Sequence, residues 1–498
     1  MHSRRRDLDE PLRKSKVGIA LQSLLILSLL LISSVFIAPR ALAFANGENG
    51  SVVLGQPNFT STSSISPLLN ASKFYDPYDV AFDSSGNLWV VDSADSRVTE
   101  FTPPFTTGES ASLVLGEPNF VTTYGGGGGG LNGTVLYVPQ GIAFDSSGNL
   151  WVSDSGDNRI VEYTAPFSNG ENASLVLGAP TLTTAEFSTQ NASNTDLNAP
   201  EGLAFDSSGN LWVADSGYYR VVEFKAPFSN GEAESVVIGQ DNFTAKDFPN
   251  EPSCPPTCDQ PTASTLYTPS AVAFDSAGNL WVADRGDLRV SEFSAPFSNG
   301  EAASLWVGGG CSIFGEVVAA NCMGVIDYIT FDHSGMLWVS DTANGRVLGF
   351  PSPQASGENA TVVIGEPDFS TSPGIVDNAT QNNLLTPEGI AFDSAGNLWV
   401  ADDGFNRVMD FPASASSGAP TTTMSQTSVI ATTTTSTTSI PPTTTTQAST
   451  TATQTSSSSA SSSTQVPEFP FQALAVVAIT VLVVTSYLLV RRHPVRQV

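Results

Sequence analysis

The amino-acid sequence predicts an all-β fold: a six-bladed β-propeller closed by its own N-terminal strand, carried on a Ser/Thr-rich stalk and a C-terminal transmembrane helix. Three observations predict it. One unit of about sixty residues is written six times, and the last copy lacks a strand that stands spare at the N-terminus. An uncharged apolar segment lies near each end of the chain.

The repeat is the strongest signal. The phrase Ala81-Phe82-Asp83-Ser84-Ser85-Gly86-Asn87-Leu88-Trp89-Val90 recurs with Trp at 89, 151, 212, 281, 338 and 399, at intervals of 62, 61, 69, 57 and 61 residues. Each copy continues to an Asp and, five residues on, an Arg: Asp92/Arg97, Asp154/Arg159, Asp215/Arg220, Asp284/Arg289, Asp341/Arg346 and Asp402/Arg407. A second phrase, as in Ala173-Ser174-Leu175-Val176-Leu177-Gly178, also occurs six times, first at residues 51–55.

One copy resolves into four short strands at residues 141–144, 150–153, 159–163 and 173–177. The turn at 145–149 has Gly and Asn where positive φ is needed. The strands are apolar on both faces, so each sheet must be covered on both sides. Four-stranded sheets stacked radially meet that demand as a propeller, and six copies make six blades. The last copy supplies three strands, ending at Phe411, and residues 51–54 supply the fourth. That splice hides the free edges. A solenoid, the alternative, would need polar caps and leaves the offset unexplained.

The ends set the compartment. Arg4, Arg5, Arg6, Arg13, Lys14 and Lys16 precede an uncharged run at 17–38 and then Ala41-Leu42-Ala43. This reads as a secretory signal over residues 1–43, cleaved after Ala43 or Ala45; an uncleaved anchor is the alternative. Residues 471–490 form a 20-residue stretch without charge, long enough to span a bilayer. Arg491, Arg492 and Arg496 follow in the tail at 491–498 and stay cytoplasmic, which places everything between the two segments outside the cell. Val466-Pro467-Glu468-Phe469-Pro470, the apolar span and the arginines together resemble the C-terminal sorting signals of archaeal surface proteins. That likeness implies exchange of the tail for a lipid; a plain type I anchor is the preferred reading.

Residues 413–467 contain no charged side chain before Val466 and are dominated by Ser and Thr. Such a segment cannot offset its chain entropy by burial, and it reads as an extended, O-glycosylated stalk. Nine Asn-x-Ser/Thr sequons, at Asn49, Asn58, Asn70, Asn132, Asn172, Asn191, Asn242, Asn359 and Asn378, suggest a glycan-coated surface protein. The cysteines are Cys254, Cys258, Cys311 and Cys322, and outside the cell they should be oxidised. Nearest-neighbour bridges, 254–258 and 311–322, would pin two long connections at about 2–3 kcal/mol each. Three connectivities are open, and a four-cysteine zinc site is the alternative.

Charge excludes one class of partner. Against 44 acids, residues 44–412 carry ten basic side chains, six of them repeat arginines. Phosphate binding needs a basic patch, so no nucleic-acid partner is expected. The propeller's only histidine is His333, in a turn. Neither Gly-x-Ser-x-Gly nor His-Glu-x-x-His occurs, so nucleophile and zincin chemistry lack support. The glycines at 125–130 lie in a connection between blades and are not a phosphate cradle.

The unit Gly/Ala-x-Ala-Phe-Asp-x-x-Gly-Asn-Leu-Trp-Val-x-Asp with a following Arg-Val resembles the NHL-repeat family over about residues 46–412. The fifth copy departs most, with Tyr328-Ile329-Thr330-Phe331-Asp332-His333. The resemblance implies a six-bladed propeller and no single chemistry. Such propellers include protein- and RNA-binding modules and lyases, and related ones include calcium-dependent lactonases. Lyase chemistry would call for histidines near the channel, whereas His333 falls in a turn at the opposite end.

Strand alternation puts the tight turns at one end. The Asp-to-Arg hairpins lie at the other with the long connections 59–77, 120–139, 243–269 and 369–387, which makes that end the natural binding face. The Asp/Arg pairs read as structural, each Arg bridging a hairpin to its own Asp. At the entry to the first strands sit Tyr78, Gln140, Glu201, Ser270, Asp327 and Glu388, the candidate ligand-binding residues. Glu201, Asp327 and Glu388 converge there as oxygen ligands suited to Ca²⁺, the alternative being a solvated acidic rim. No cofactor is required otherwise. The sequence therefore points to a non-enzymatic binding or adhesion module for a protein or glycan, held by a single membrane anchor. A calcium-dependent hydrolase or lyase, lactonase-like, at the channel mouth is the second reading. A structural surface-layer component is the third.

Overall fold

The computed structural model describes residues 42–62, 69–122, 131–184, 192–246, 262–309, 318–371 and 378–415. The apolar segments 17–38 and 471–490, the stalk beyond 415, Asn191, Cys254, Cys258 and Cys311 lie outside the described residues. Among the described residues no helix is long and apolar enough to cross a membrane.

Six four-stranded antiparallel sheets form the blades, five of them simple meanders of consecutive strands. Blade 1 comprises Pro77–Phe82, Leu88–Asp92, Arg97–Phe101 and Leu113–Leu115. In blade 6 the inner strands Pro387–Phe392, Leu398–Asp402 and Arg407–Phe411 are completed by Val53–Leu54, whose residues pair with Met409 and Val408. The splice begins earlier than the strand. Phe44 packs edge-on against Trp338 at 5.0 Å and Phe392 at 6.2 Å. In blades 2, 3 and 4, Phe167, Phe228 and Phe297 make the same kind of contact with Trp89, Trp151 and Trp212. Residues 44–48 thus stand in for the turn that blade 6 lacks.

Both faces of every sheet are covered, as the unbroken apolar strands require. One cluster joins Trp89, Val91 and Val98 of blade 1 to Ile142, Val152 and Val161 of blade 2. The seam between blades 6 and 1 repeats it with Trp399, Ala401 and Leu54 against Val80, Val90 and Phe101. A buried indole removes about 200 Å² from water, about 5 kcal/mol gross before entropy. Its one polar atom is served by the turn: Trp89 Nε1 donates to Asp83 Oδ2 at 3.3 Å, and each blade repeats the bond.

The repeat arginines do more than bridge their hairpins. Arg220 donates through Nε to Asp215 (2.7 Å), and through its two Nη atoms to the carbonyls of Ser193 (2.9 Å), Phe243 (2.9 Å) and Asp196 (2.8 Å). Those carbonyls belong to the connections entering and leaving the blade. Arg97, Arg159, Arg346 and Arg407 are bonded in the same way. The second oxygen of each Asp accepts from the connection too, as Asp215 Oδ1 does from Asn198 N at 2.7 Å. One buried pair per blade therefore ties the long connections to the rigid strands.

The inner strands begin two residues before the predicted 141, at Pro139, because the residue after each opening position sits in a register irregularity. The shift falls between Pro77 and Asp79, Pro139 and Gly141, Pro200 and Leu203, and equivalently in the other three blades. A bulge re-aims a side chain. Here it acts on Tyr78, Gln140, Glu201, Ser270, Asp327 and Glu388.

Candidate functional site at the loop-face mouth of the axis

The inner strands crowd together one residue further along. A Cβ on Gly202 would lie 2.7 Å from Ala271 Cα, and one on Gly389 would lie 2.5 Å from Asp79 Cα. Blades 2, 3, 4 and 6 accordingly place Gly141, Gly202, Ala271 and Gly389 there, while blades 1 and 5 place Asp79 and Tyr328. The two departures are matched: the Tyr328 hydroxyl donates to Asp79 Oδ2 at 2.8 Å, and that oxygen also accepts from Ile142 N at 2.9 Å. Asp79 is fully buried, and burial pushes its carboxyl up to about 7 against the three hydrogen bonds it accepts.

This pair divides the axis. On the tight-turn side lies a cavity of about 360 Å³ lined by Val80, Ile142, Leu203, Val272, Ile329 and Ile390, with His333 at its rim. His333 is therefore at the end its turn predicts. On the loop side the bulged residues meet a side chain that the repeat does not call for. Arg285 follows the blade 4 Asp where the other blades have Ser93, Ser155, Ser216, Thr342 and Asp403.

Arg285 crosses the mouth. Its guanidinium donates to Glu201 Oε1 (3.2 Å) and Oε2 (2.7 Å) on blade 3 and to the Tyr78 hydroxyl (2.8 Å) on blade 1, and it pairs with Asp327 on blade 5. Tyr78 passes its own proton toward Glu201 Oε2 at 3.3 Å. Burial, then the charge of Glu201, push the Tyr78 phenol well up, so it stays a donor. Burial likewise raises Glu201 despite Arg285. Burial works against the Arg285 charge, but Tyr78, Glu201, Asp327 and Glu388 outweigh it and raise that group further.

Glu388 stands opposite. It is 9 % exposed, and its Oε2 is buried without a hydrogen-bond partner. Burial, then Asp327, raise its carboxyl well above the usual range. Asp403 beside it is pushed up to about 7 by burial and by its hydrogen bond with Asp76. The structure thus brings together Tyr78, Glu201 and Asp327 through Arg285, with Glu388 in electrostatic range. Ser270 instead turns to the Ile326 carbonyl at 3.2 Å, and Gln140 stands half-buried apart from the network. Among the described residues, no group of three or more His, Cys, Asp or Glu could hold a metal ion.

Sequence reasoning missed Arg285, Asp403, Asp76 and the Asp79–Tyr328 pair. A signal was available. Arg285 is the one arginine in residues 44–412 outside the repeat set, and Asp79 and Tyr328 break a Gly/Ala column. Of the eight described sequon asparagines, six are exposed and Asn70 and Asn132 are half-buried. Cys322 is buried and disulfide-bonded.

Two segments, residues 136–163 and 197–224, match the NHL repeat; they cover the first three strands of blades 2 and 3. NHL repeat-containing protein 3 of Homo sapiens is 27 % identical over 172 residues, 34 % of this chain and 42 % of that protein. A probable peptidyl-alpha-hydroxyglycine alpha-amidating lyase of Caenorhabditis elegans is 24 % identical over 227 residues, 45 % of this chain and 54 % of that one. The chain spans about half the length of the curated relatives it matches. Among solved structures, a gluconolactonase from Xanthomonas campestris is similar over 73 % of this chain and 98 % of its own, at 16 % identity and a TM-score of 0.41.

Proposed function

We propose that this chain is a surface-displayed, non-enzymatic binding module that takes a protein or glycan at the loop-face mouth of its propeller. One observation carries the reading. The blades repeat their structural residues nearly unchanged, yet the bulged positions around the axis vary and hold buried charge. Burying carboxylates costs folding free energy that packing there does not require, and such residues are candidates for function. The reading includes an exported ring, an N-glycosylated surface, a single C-terminal anchor of type I and no nucleic-acid partner.

Access supports it. Both ends of the ring leave on the tight-turn face: Phe44 packs on Phe392, and Ala413 N donates to Asn397 Oδ1 at 3.1 Å. The mouth lies at the other end, clear of both. The test is binding of the full-length chain to glycan and peptide arrays. Shortening the connection 243–269 should abolish capture, and Ser147→Arg with Ser208→Arg, at exposed turn residues, should leave it intact. The opposite pattern would move the site to the tight-turn face. Steady turnover of a lactone, an ester or a peptidyl-α-hydroxyglycine would replace the module by an enzyme.

A further inference from the structure

The charge at the mouth is unequally shared. Glu201, Asp327 and Glu388 gather around Arg285, and Asp403 and Asp76 lie beside Glu388. Arg285 spends its hydrogen bonds on Glu201 of blade 3 and the Tyr78 hydroxyl of blade 1, and pairs with Asp327 of blade 5. Its carboxylate partners are Glu201 and Asp327, and it makes no bond to Glu388, Asp403 or Asp76. Glu388 keeps a buried oxygen with no donor. Such an atom carries the full desolvation cost of its group. The repeat does not impose it, since the equivalent residue is Gln140 in blade 2 and Ser270 in blade 4.

Resting on the reading above, we infer that the mouth takes the organic cation of its ligand, the guanidinium of an arginine or the ammonium of a lysine or amine. That group is seated against Glu388 beside Asp403 and Asp76. Arg285 shows what the neighbouring acids of the same mouth do with such a group: both oxygens of Glu201 grip it in a fork, the Tyr78 oxygen accepts from it and Asp327 closes the pair. Fork-to-fork bonding is the geometry that selects planar cations. A metal ion fits less well. Asp327 is drawn to Arg285, and among the described residues no set of three metal ligands is assembled.

The chemistry has a proton in it. In the empty mouth burial, then Asp327, favour the protonated Glu388, with Asp403 and Asp76 adding to them and Arg285 opposing. An arriving cation pairs with the carboxylate, and one proton leaves to solvent as the ion pair forms. Affinity must then rise with pH, by up to about tenfold per pH unit while Glu388 is protonated when empty.

The experiment titrates the full-length chain with Nα-acetyl-argininamide, with its uncharged isostere Nα-acetyl-citrullinamide, and with CaCl₂, at pH 6 and pH 8. The arginine compound should bind more tightly at pH 8, and the citrulline compound should fail. Glu388→Gln should bind about tenfold more weakly with its melting temperature kept. Asp403→Asn serves as a second variant should the first not fold. Equal binding of the two amides, no weakening in either variant, binding of calcium alone, or no binding at all would each overturn the inference. An array ligand that binds regardless of Glu388→Gln would leave the module standing and sink only the cation. Loss of array binding with the arginine titration intact would do the reverse.

Discussion

Arg220→Ala tests whether the repeat arginines are staples rather than a ligand ring. The side chains of Arg220, Asp215 and Glu234 are all fully buried. The substitution removes the 2.7 Å bond to Asp215, the 2.9 Å pair with Glu234 and the donors to Ser193, Phe243 and Asp196. Breaking a buried pair from one side costs about 3–5 kcal/mol, because the remaining charge is stranded. For a cooperative ring of roughly 370 residues, unfolding entropy of about 2.1 cal/mol/K per residue gives about 0.8 kcal/mol/K. A loss of about 4 kcal/mol is then a fall of about 5 °C, read by calorimetry on the full-length chain. At pH 5 the fall should shrink, since burial already raises Asp215 and Glu234 and both can take a proton. Arg220→Lys should recover less than half, because one ammonium cannot span acceptors on two connections. A melting temperature within 1 °C of the parent for Arg220→Ala, or full rescue by Lys, would refute the staple.

Three further outcomes follow from named contacts. Arg285→Ser strands Glu201 and Asp327 and should destabilise the chain by about 2–4 kcal/mol at pH 8, and by less at pH 5, where burial lets Glu201 take a proton, in paired denaturant melts. Asp79→Asn should be more stable than the parent at pH 8 and level with it at pH 4. The folded carboxyl lies at about 7, above its ordinary 3.8, so its favourable contribution is whole below about pH 4 and lost as pH rises through 7. The difference is about 4 kcal/mol at most. On export, mass spectrometry of the mature N-terminus should find Phe44. Cleavage after Ala45 would remove the ring that packs on Trp338, and Phe44→Ala should cost about 1–3 kcal/mol.

The blades were legible because each repeat states its own constraints. Asp83 bonds the Trp89 indole, Gly86 takes φ 83° in the turn, and the both-sided apolar strands leave only radial packing. The closing strand was legible from an absence in the last copy. The missing turn contributed by residues 44–48 shares four of its five letters with 167–171, but it carries weight only once Phe44 is seen against Trp338. The mouth was half legible. Strand position brought Glu201, Asp327 and Glu388 to one end, since every inner strand runs the same way. Nothing local told that Arg285, reaching from a hairpin, would span the axis to Tyr78 of the opposite blade. That contact exists only after six blades close.

The arginine staples explain how such a mouth is tolerated. A long connection usually adds entropy and mobility to the face it crosses. Here each is tied at both ends: Arg407 holds Phe59 O at 2.8 Å on the connection leaving blade 6 and Asn383 O at 2.7 Å on the one entering it. Loop length can change between those ties without disturbing the strands, as the repeat intervals of 57 to 69 residues already show. The same rigidity holds the bulges, and so the carboxylates, in place while they carry charge that the core would reject. Stability is made at the blade seams and the hairpin pairs, one set per repeat, and the few residues that break the repeat are freed for the axis. A function at this mouth should therefore be removable without unfolding the ring: Glu388→Gln should alter ligand binding and spare the melt, whereas Arg220→Ala should do the opposite at ligand saturation.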